Sequence, residues 1–140
     1  MIRRILIAYD GSEPARRALA IGAELAGGLG TQVGLVSVTP QRPDRKPDDP
    51  WGDASAHAAE LAEAKAFLAE RGLEAETHEP TGVAGPMIVR VAKEFAYDTI
   101  VLGSRHLSAI GQAFLGSVSK YVAHHAEATV IIARGSPEPR

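Results

Sequence analysis

The feature that most constrains the fold is an alternation of short apolar runs with longer segments of helical periodicity. The apolar runs predict strands at residues 5–8, 33–38, 99–102 and 129–133, and a polar run at 74–79, third along the chain, predicts a weaker strand. Strands that alternate with helices form a mostly parallel sheet with helices on both faces. We therefore expect an α/β fold, a doubly wound three-layer sandwich around a five-stranded parallel sheet. The third run is so polar that its strand is expected at a sheet edge.

The segments between the strands carry helix signals. Ser12 can cap the first helix, Pro14 suits its first turn, and the glycines at 27, 28 and 30 are expected to end it. The third helix has the clearest pattern, because one apolar stripe follows the spacing i, i+3, i+4, i+7. That stripe consists of Ile88, Val91, Ala92 and Phe95. The second and last helices are predicted at about 53–70 and 116–126.

Length and composition predict a single domain. The chain has 140 residues, of which 45% are hydrophobic and 23% charged, as is typical of a globular protein with one core. We expect the domain at residues 1–135, with a variable Pro-rich loop at 40–52 and a polar tail at 136–140.

Composition also excludes several kinds of function. The chain has no cysteine, which excludes disulfides, Cys-ligated zinc, iron–sulfur clusters and thiol catalysis. Its formal charge is −2, so no overall field attracts nucleic acid or an anionic membrane surface. No apolar run approaches the ~18 residues of a membrane span, and the run at 5–8 is shorter than a secretory signal requires. We therefore expect a cytoplasmic protein with no nucleic-acid or membrane partner.

The loop after the fourth predicted strand has the features of an anion site. It begins with Gly103 at a strand end and closes with Gly-Ser-Val-Ser, residues 116–119, at a helix start. Backbone N–H groups at a helix N-terminus bind anions, and glycine lets a phosphate approach the backbone. Ser117 and Ser119 add hydroxyl donors, and Arg105 adds a fixed positive charge. The alternative is a serine-capped helix that binds no ligand.

Asp10 ends the first predicted strand. A carboxylate at that place can hydrogen-bond a ribose hydroxyl or bind a divalent cation. Alternatively it is a turn residue that caps the next helix, since Asp-Gly is a common turn pair. Ligands of parallel α/β sheets bind beyond the carboxyl ends of the strands, where both of these loops lie.

In order and spacing these segments resemble the universal stress protein family over essentially the whole chain. The resemblance covers the opening Ile-Leu-Ile-Ala-Tyr-Asp-Gly-Ser-Glu at 5–13 and the strands at 36–38, 98–105 and 129–132. ATP-binding members of the family carry Gly, two residues, Gly, nine residues, and then Gly with Ser or Thr. Here the frame is Gly103, two residues, His106, nine residues, and Gly116-Ser117.

The resemblance implies the sheet order 3-2-1-4-5, a role in stress response, and ATP bound across the first and fourth strands. A divalent cation, Mg²⁺ or Mn²⁺, would accompany the nucleotide through its phosphates, with no side-chain ligand assigned. Carried over by position, Ala8, Val38 and Leu102 would line the adenine pocket. Asp10 and Gly103 would hold the adenosine part, chiefly the ribose. The phosphates would be held by Gly116, Ser117, Val118 and Ser119.

His106 is the main departure from the family frame, because ATP-binding members have glycine there. In a left-handed backbone a histidine costs of order 1 kcal/mol. Its ring could fill the space of a phosphate or donate a hydrogen bond to one. Two alternatives to ATP binding therefore remain open. One is a dimeric stress or interaction protein that binds no nucleotide, and the other is a slow ATP hydrolase.

Other α/β proteins and enzymes fit the residues less well. The chain lacks the acid pair and lysine of a phosphoacceptor receiver, the phosphate loop of a flavodoxin, and the Gly-Lys-Ser/Thr of a P-loop NTPase. It has no G-x-S-x-G elbow. We expect nucleotide binding with at most slow hydrolysis.

The last predicted strand bears on assembly. An apolar run at an open sheet edge is an aggregation hazard. In the family this strand pairs across a two-fold axis, so the resemblance implies a homodimer. The residues concerned are Val130, Ile131 and Ile132.

Overall fold

The structure, a computed structural model, describes residues 1–39, 53–104, 106–107, 113–114 and 116–134. For residues 53–57, 106–107 and 113–114 it describes the backbone alone. The predicted Pro-rich loop at 40–52, the tail at 136–140 and Arg105 lie outside the described residues.

A parallel sheet forms the middle layer of the fold. Its strand order is β3-β2-β1-β4-β7, and each neighbouring pair is parallel. Because β7 is the fifth strand of this sheet along the chain, the order 3-2-1-4-5 is confirmed, and so is the edge position of the polar strand β3. The elements are β1 (Arg4–Ala8), α1 (Glu13–Leu29), β2 (Gln32–Val36), α2 (Asp53–Ala69), β3 (Ala75–His78), α3 (Ala84–Glu94), β4 (Thr99–Gly103), β5 (His106–Leu107), β6 (Ala113–Phe114), α4 (Ser117–His125) and β7 (Thr129–Ala133).

Alternate residues of the strands supply two separate cores. Ile5 and Ile7 of β1 pack with α1 and α2 on one face, whereas Leu6 packs with α3 and α4 on the other. These three side chains are fully buried. A parallel strand buried on both faces has a continuous apolar sequence, which is why β1 and β4 are visible in the sequence.

The ends of two elements differ from the prediction. Helix α1 continues through the glycines at 27 and 28 and is capped by Gly30, whose left-handed backbone (φ 68°) lets the next N–H, that of Thr31, donate to the Ala26 carbonyl at 3.1 Å. Strand β2 ends at Val36 rather than at Val38. The chain beyond β2 still follows β3, because the Ser37 N–H donates to the His78 carbonyl at 3.0 Å.

The sequence pattern was wrong about Phe95 and incomplete for the loop after β4. Phe95 lies just beyond the end of α3 and is 41% exposed, so the buried stripe of that helix stops at Ala92. The loop contains a two-stranded antiparallel pair, in which His106 of β5 faces Phe114 of β6. A pair this short has too few residues for a recognisable alternation of apolar and polar positions.

Candidate functional site

Four of the predicted site residues share one apolar cluster at the carboxyl edge of the sheet. Leu102 is buried in the core on the α3–α4 face, and Ala8, Val38 and Val118 pack against that core while partly exposed. Ala8 ends β1, and Val38 lies two residues beyond β2. Strand order and the shared core thus bring together three residues predicted for the adenine and one predicted for the phosphates.

The turn between β1 and α1 is held by its own side chains. The Asp10 carboxylate (Oδ1) accepts a hydrogen bond from the Ser12 N–H at 3.0 Å. Gly11 between them has φ 79°, a left-handed conformation that favours glycine. Ser12 caps α1 by accepting from the Ala15 N–H at 3.3 Å. Asp10 therefore shapes the turn as the structural alternative expected, while Ser12, and not Asp10, is the capping residue.

A second carboxylate, from α2, lies against the same turn. A Cβ atom placed on Gly11 would be 2.9 Å from Oε1 of Glu60 and 3.0 Å from its Cγ and Cδ. The sequence did not predict a role for Glu60, because it is about 50 residues from this turn along the chain and no local pattern distinguishes it from the other acidic residues of α2. The close contact follows only from the way α2 packs beside α1.

Another cluster ties β1 to the same two helices. Tyr9 is 2% exposed. Burial raises the pKa of the Tyr9 phenol, and the nearby Arg16 guanidinium offsets part of this effect. Arg16 of α1 also forms an ion pair with Glu63 of α2, at 3.4 Å between Nη2 and Oε1. This cluster fixes α2 against α1 about one helical turn from Glu60.

Gly103, at the end of β4, is required by packing. A Cβ atom at this position would lie 2.4 Å from the carbonyl carbon of Pro14 and 2.5 Å from its oxygen, a distance that no backbone tolerates. The next residue, Ser104, is buried and donates its N–H to the Ala133 carbonyl at 2.8 Å. The start of α1 and the end of β4 are therefore in direct contact at this edge of the sheet, whether or not a ligand binds there.

The loop between β4 and α4 is described only in part. Arg105 is outside the described residues, and His106 is described for its backbone alone. Ala96, at φ 57°, is the one non-glycine residue with positive φ in the described part of the chain. His106 lies in the two-residue strand β5, where it pairs with Phe114 of β6.

The N-terminus of α4 has the properties of an anion site. Gly116 is the N-cap, and no side chain caps the helix; its first turn contains no acidic residue. The first backbone N–H groups of a helix have no acceptor within the helix, and they carry the positive end of its dipole. Gly116 is buried, Val118 is partly exposed and Ser117 is exposed. No capping side chain therefore competes with an anion for these amides.

The two serines of this turn differ in position. Ser119 is 1% exposed, and its hydroxyl donates to the Gly116 carbonyl at 3.0 Å. Its proton is thus directed into the protein, unlike the phosphate donor predicted from the sequence. Ser117 is the serine of this turn with an exposed side chain.

Metal-binding clusters and membrane-spanning helices are both absent from the described residues. They contain no group of three or more His, Asp or Glu side chains able to hold a metal ion. Nor does this part of the chain include a helix both long and apolar enough to span a bilayer. Of the paired histidines of α4, His125 has a local role, because its Nδ1–H donates to the Tyr121 carbonyl at 2.9 Å and its ring stacks on the Tyr121 ring.

Comparisons with known proteins agree in sequence and in structure. The universal stress protein family matches residues 1–134. A universal stress protein of Thermus aquaticus, encoded in the QAH/OAS sulfhydrylase 3′ region, is 32% identical over 138 residues, which are 96% of this chain and 100% of the relative.

Two solved structures from Archaeoglobus fulgidus share the fold over nearly the whole chain. One universal stress protein is 29% identical with a TM-score of 0.80, and the alignment covers 95% of this chain and 99% of that one. Another, in complex with dAMP, is 26% identical with a TM-score of 0.74, covering 95% and 98%. The family match, the curated relative and these two structures together show that this chain belongs to the universal stress protein family.

Proposed function

We propose that the protein binds ATP at the carboxyl ends of β1 and β4 and acts in the cytoplasm in the response to stress. The observation that carries the proposal is the start of α4, where a buried Gly116 replaces a capping side chain and the first turn has no acid. Such a turn stabilises a bound phosphate through backbone N–H groups and the helix dipole. The dAMP complex of a relative supports an adenine nucleotide as the ligand.

In this proposal the nucleotide crosses the edge of the sheet from β2 to α4. The adenine packs on Ala8, Val38 and Leu102, which belong to one apolar cluster. The ribose lies at Asp10 and beside Gly103. The phosphates lie at the N–H groups of residues 116–119, with the Ser117 hydroxyl as a further donor. Arg105 and His106 belong to the loop that connects the ribose and phosphate ends.

A divalent cation fits this proposal as a partner of the phosphates. A triphosphate brings several negative charges to a site that offers amide dipoles, and Mg²⁺ typically keeps several waters while it binds phosphate oxygens. Among the described residues, Asp10 and Glu60 lie at the β1–α1 turn, where the proposal puts the ribose. We therefore propose binding with at most slow hydrolysis, because hydrolysis needs a base directed at a water near the γ-phosphate.

The direct test is the nucleotide content and affinity of the purified protein. Native mass spectrometry is expected to detect a retained adenine nucleotide, or calorimetry to detect saturable binding of Mg²⁺-ATP. Ser117→Glu places a negative charge at the start of α4 and is expected to abolish binding by repelling the phosphates. Lys120→Glu, one turn further along the exposed side of α4, serves as a charge-change control. Absence of heat at millimolar ATP would contradict the proposal.

A second candidate is a dimeric protein in which the His106 side chain blocks the phosphate site. It is favoured by the replacement of the family glycine by histidine. His106→Gly distinguishes the two functions. If wild type does not bind ATP and the variant does, the ring is the obstruction and the natural protein acts without a nucleotide.

The position of β7 supports a homodimer. This strand lies at the edge of the sheet, and its three central residues, Val130, Ile131 and Ile132, are only partly buried. An apolar edge strand is commonly covered by another chain. We propose that it pairs with a second copy of the protein. Light scattering is expected to give about twice the chain mass of 14.7 kDa, and Val130→Lys is expected to shift the protein toward monomer; a monomeric wild type would exclude this pairing.

A further inference from the structure

The edge strand β7 uses alternate residues of its backbone to bond β4. The Thr129 N–H donates to the Asp98 carbonyl at 2.9 Å. At the other end of the strand, the Ala133 carbonyl accepts from the Ser104 N–H at 2.8 Å. Because the backbone groups of a strand alternate in direction with a period of two residues, the odd-numbered residues of β7 bond β4.

The even-numbered residues of β7 restrict how a second copy of this strand can pair with it. The N–H and C=O groups of Val130 and Ile132 point away from β4, toward the edge of the sheet. A two-fold axis suits an antiparallel ladder, because two opposite bonded residues exchange both hydrogen bonds. Such bonding requires an outward residue opposite another outward residue. A pairing centred on the apolar part of β7 therefore has its axis at residue 130, 131 or 132, and not between two residues.

The side chains distinguish these three positions. With the axis at residue 131, Ile131 lies opposite the partner's Ile131, and Val130 lies opposite the partner's Ile132. An axis at residue 130 would instead set Ile131 against the partner's Thr129, and an axis at residue 132 would set Val130 against the partner's Arg134. The three apolar residues are only partly buried in one copy. Only the axis at residue 131 covers each of them with another large apolar side chain.

The charges beside β7 favour residue 131 over residue 132. Glu127 precedes the strand by two residues and Arg134 follows it directly, and both are exposed. With the axis at residue 131, Arg134 lies opposite the partner's Ala128 and adjoins the partner's Glu127, and the two-fold axis repeats this contact. With the axis at residue 132, the two charges are three residues apart along the partner's chain.

We propose that β7 pairs with a second copy of this chain about a two-fold axis at Ile131, so that Val130 exchanges both backbone hydrogen bonds with the partner's Ile132. The inference rests on the homodimer proposed above and adds which residues meet in it. Two five-stranded sheets then form one continuous sheet. Because the two copies of β7 are antiparallel, their carboxyl ends, and with them the two proposed nucleotide sites, lie at opposite edges of that sheet.

Single cysteines test the position of the axis, because the chain has no cysteine of its own. Opposite residues of a non-hydrogen-bonded antiparallel pair have Cα atoms about 4.5 Å apart, which is within the range of a disulfide. Ile131→Cys is therefore expected to give a covalent dimer when oxidised glutathione accepts the electrons of the two thiols. Thr129→Cys is the matched control on the same face, and its two copies would be about 14 Å apart, at about 3.4 Å per residue. It is expected to stay non-covalent.

Two further cysteine variants test the neighbouring pair. Val130→Cys alone and Ile132→Cys alone are expected to stay non-covalent, because across the axis each is about 9 Å from its own copy, beyond the reach of a disulfide. Mixed together and allowed to exchange subunits, they are expected to form a disulfide with each other. A covalent dimer of Val130→Cys alone would put the axis at residue 130, and one of Ile132→Cys alone would put it at residue 132. Either result would overturn the proposal.

A charge exchange at exposed positions keeps the inference testable if the cysteine variants do not fold. Arg134→Glu puts like charges beside each other at both ends of the contact and is expected to raise the Kd of the dimer about three- to tenfold. Adding Glu127→Arg to the same chain restores opposite charges and is expected to return the Kd to near the wild-type value. Light scattering over a dilution series measures both. An unchanged Kd in Arg134→Glu, or no recovery in the double variant, would contradict this pairing.

Failure of this inference can be distinguished from failure of the proposed function. If wild type is a dimer and none of the cysteine variants forms a disulfide, a different surface dimerises and this pairing is wrong. If wild type is a monomer at every concentration, the homodimer itself is wrong, and this inference with it. Calorimetry with Mg²⁺-ATP tests nucleotide binding separately, and neither result would contradict it.

Discussion

The hydroxyl oxygen of Tyr97 lies 2.8 Å from Nε2 of His78, which ties the segment after α3 to the last residue of the edge strand β3. The His78 ring also packs on Phe95, with 4.4 Å between ring centroids. Tyr97 is 5% exposed and covers Gly34 of β2, where a Cβ would be 2.0 Å from the phenol oxygen. The most polar strand of the sheet is therefore anchored by contacts with two aromatic residues, of which Tyr97 is buried.

His78 is expected to make the stability of the fold dependent on pH. Burial lowers the pKa of its imidazole; Glu76 and Glu94 oppose this effect, and Arg4 adds to it. The folded protein therefore keeps His78 neutral at a pH where the unfolded chain, with a pKa of 6.5, already binds a proton. Because the unfolded state then binds more protons, the free energy of unfolding decreases as the pH falls through 6.5, by at most about 1.4 kcal/mol per pH unit for one proton.

Urea unfolding of wild type and His78→Gln between about pH 8 and pH 5 measures this contribution. The stability advantage of wild type is expected to be largest above pH 6.5 and to shrink on acidification. His124→Gln, at an exposed position of α4, is the control and is expected to keep the wild-type slope. Identical slopes for wild type and His78→Gln would show that this imidazole is not held neutral by the fold.

The fold was predictable from the sequence because its signals are local. Strand β7 was predicted with the same bounds, and Ser12 and Gly30 cap α1 as their residue types indicate. A parallel strand that is buried on both faces must be apolar on both, so the run at 99–102 was readily recognised as a strand. The apolar spacing of α3 was also correct up to Ala92; Phe95 continues the spacing but lies after the helix has ended.

The site was less predictable because its contacts join distant parts of the chain. Gly103 was expected to adjoin a ligand, yet the backbone of Pro14 already excludes any side chain there. Glu60 reaches Gly11 only because α2 packs beside α1, and no local pattern distinguishes it from Glu63. Periodicity shows which face of a helix is buried, but not which exposed residue of that helix lies over a turn of another element.

Gly103 is expected to be necessary for folding as well as for the binding of any ligand. Gly103→Ala forces a Cβ to within 2.4 Å of the Pro14 carbonyl carbon, so β4 and α1 must separate. We expect a loss of about 1–3 kcal/mol in the free energy of unfolding without nucleotide, the usual cost of overpacking. Gly28→Ala is the matched control, because it lies within α1 with no atom within 4 Å of the new Cβ. It is expected to stabilise the protein by about 0.5–1 kcal/mol, and equal effects at the two positions would contradict the contact with Pro14.

Asp98 is expected to contribute stability that is lost in acid. Its carboxylate accepts hydrogen bonds from the N–H groups of Arg3 and Arg4, at 2.8 and 3.2 Å, and from the Thr99 hydroxyl at 2.9 Å. Burial acts to raise the pKa of Asp98, but these hydrogen bonds outweigh it and lower the pKa below 3.8. A lowered pKa stabilises the fold above pH 3.8, and this contribution disappears as the pH falls through the value of the folded state.

The measurement compares wild type with Asp98→Asn in urea at about pH 7 and about pH 3. Wild type is expected to be the more stable protein at neutral pH, and the difference is expected to narrow in acid. Glu94→Gln, an exposed residue whose carboxylate is 3.9 Å from Arg90, is the control and is expected to change stability by less than about 0.5 kcal/mol. A difference that persists unchanged at pH 3 would exclude a contribution from the charge of Asp98.

Alanine variants of Ser117 and Ser119 are expected to distinguish the ligand-binding role of the first turn of α4 from its structural role. Ser119→Ala removes a buried hydroxyl that donates to Gly116, so it should cost about 1 kcal/mol of stability. Ser117→Ala removes an exposed hydroxyl and should change stability by less than about 0.5 kcal/mol, while it weakens ATP binding about three- to tenfold through the lost phosphate contact. Thermal unfolding without ligand and calorimetry with Mg²⁺-ATP report the two effects independently. A Ser117→Ala variant that binds ATP as tightly as wild type would exclude that hydroxyl as a phosphate donor and leave the backbone N–H groups to hold the phosphate.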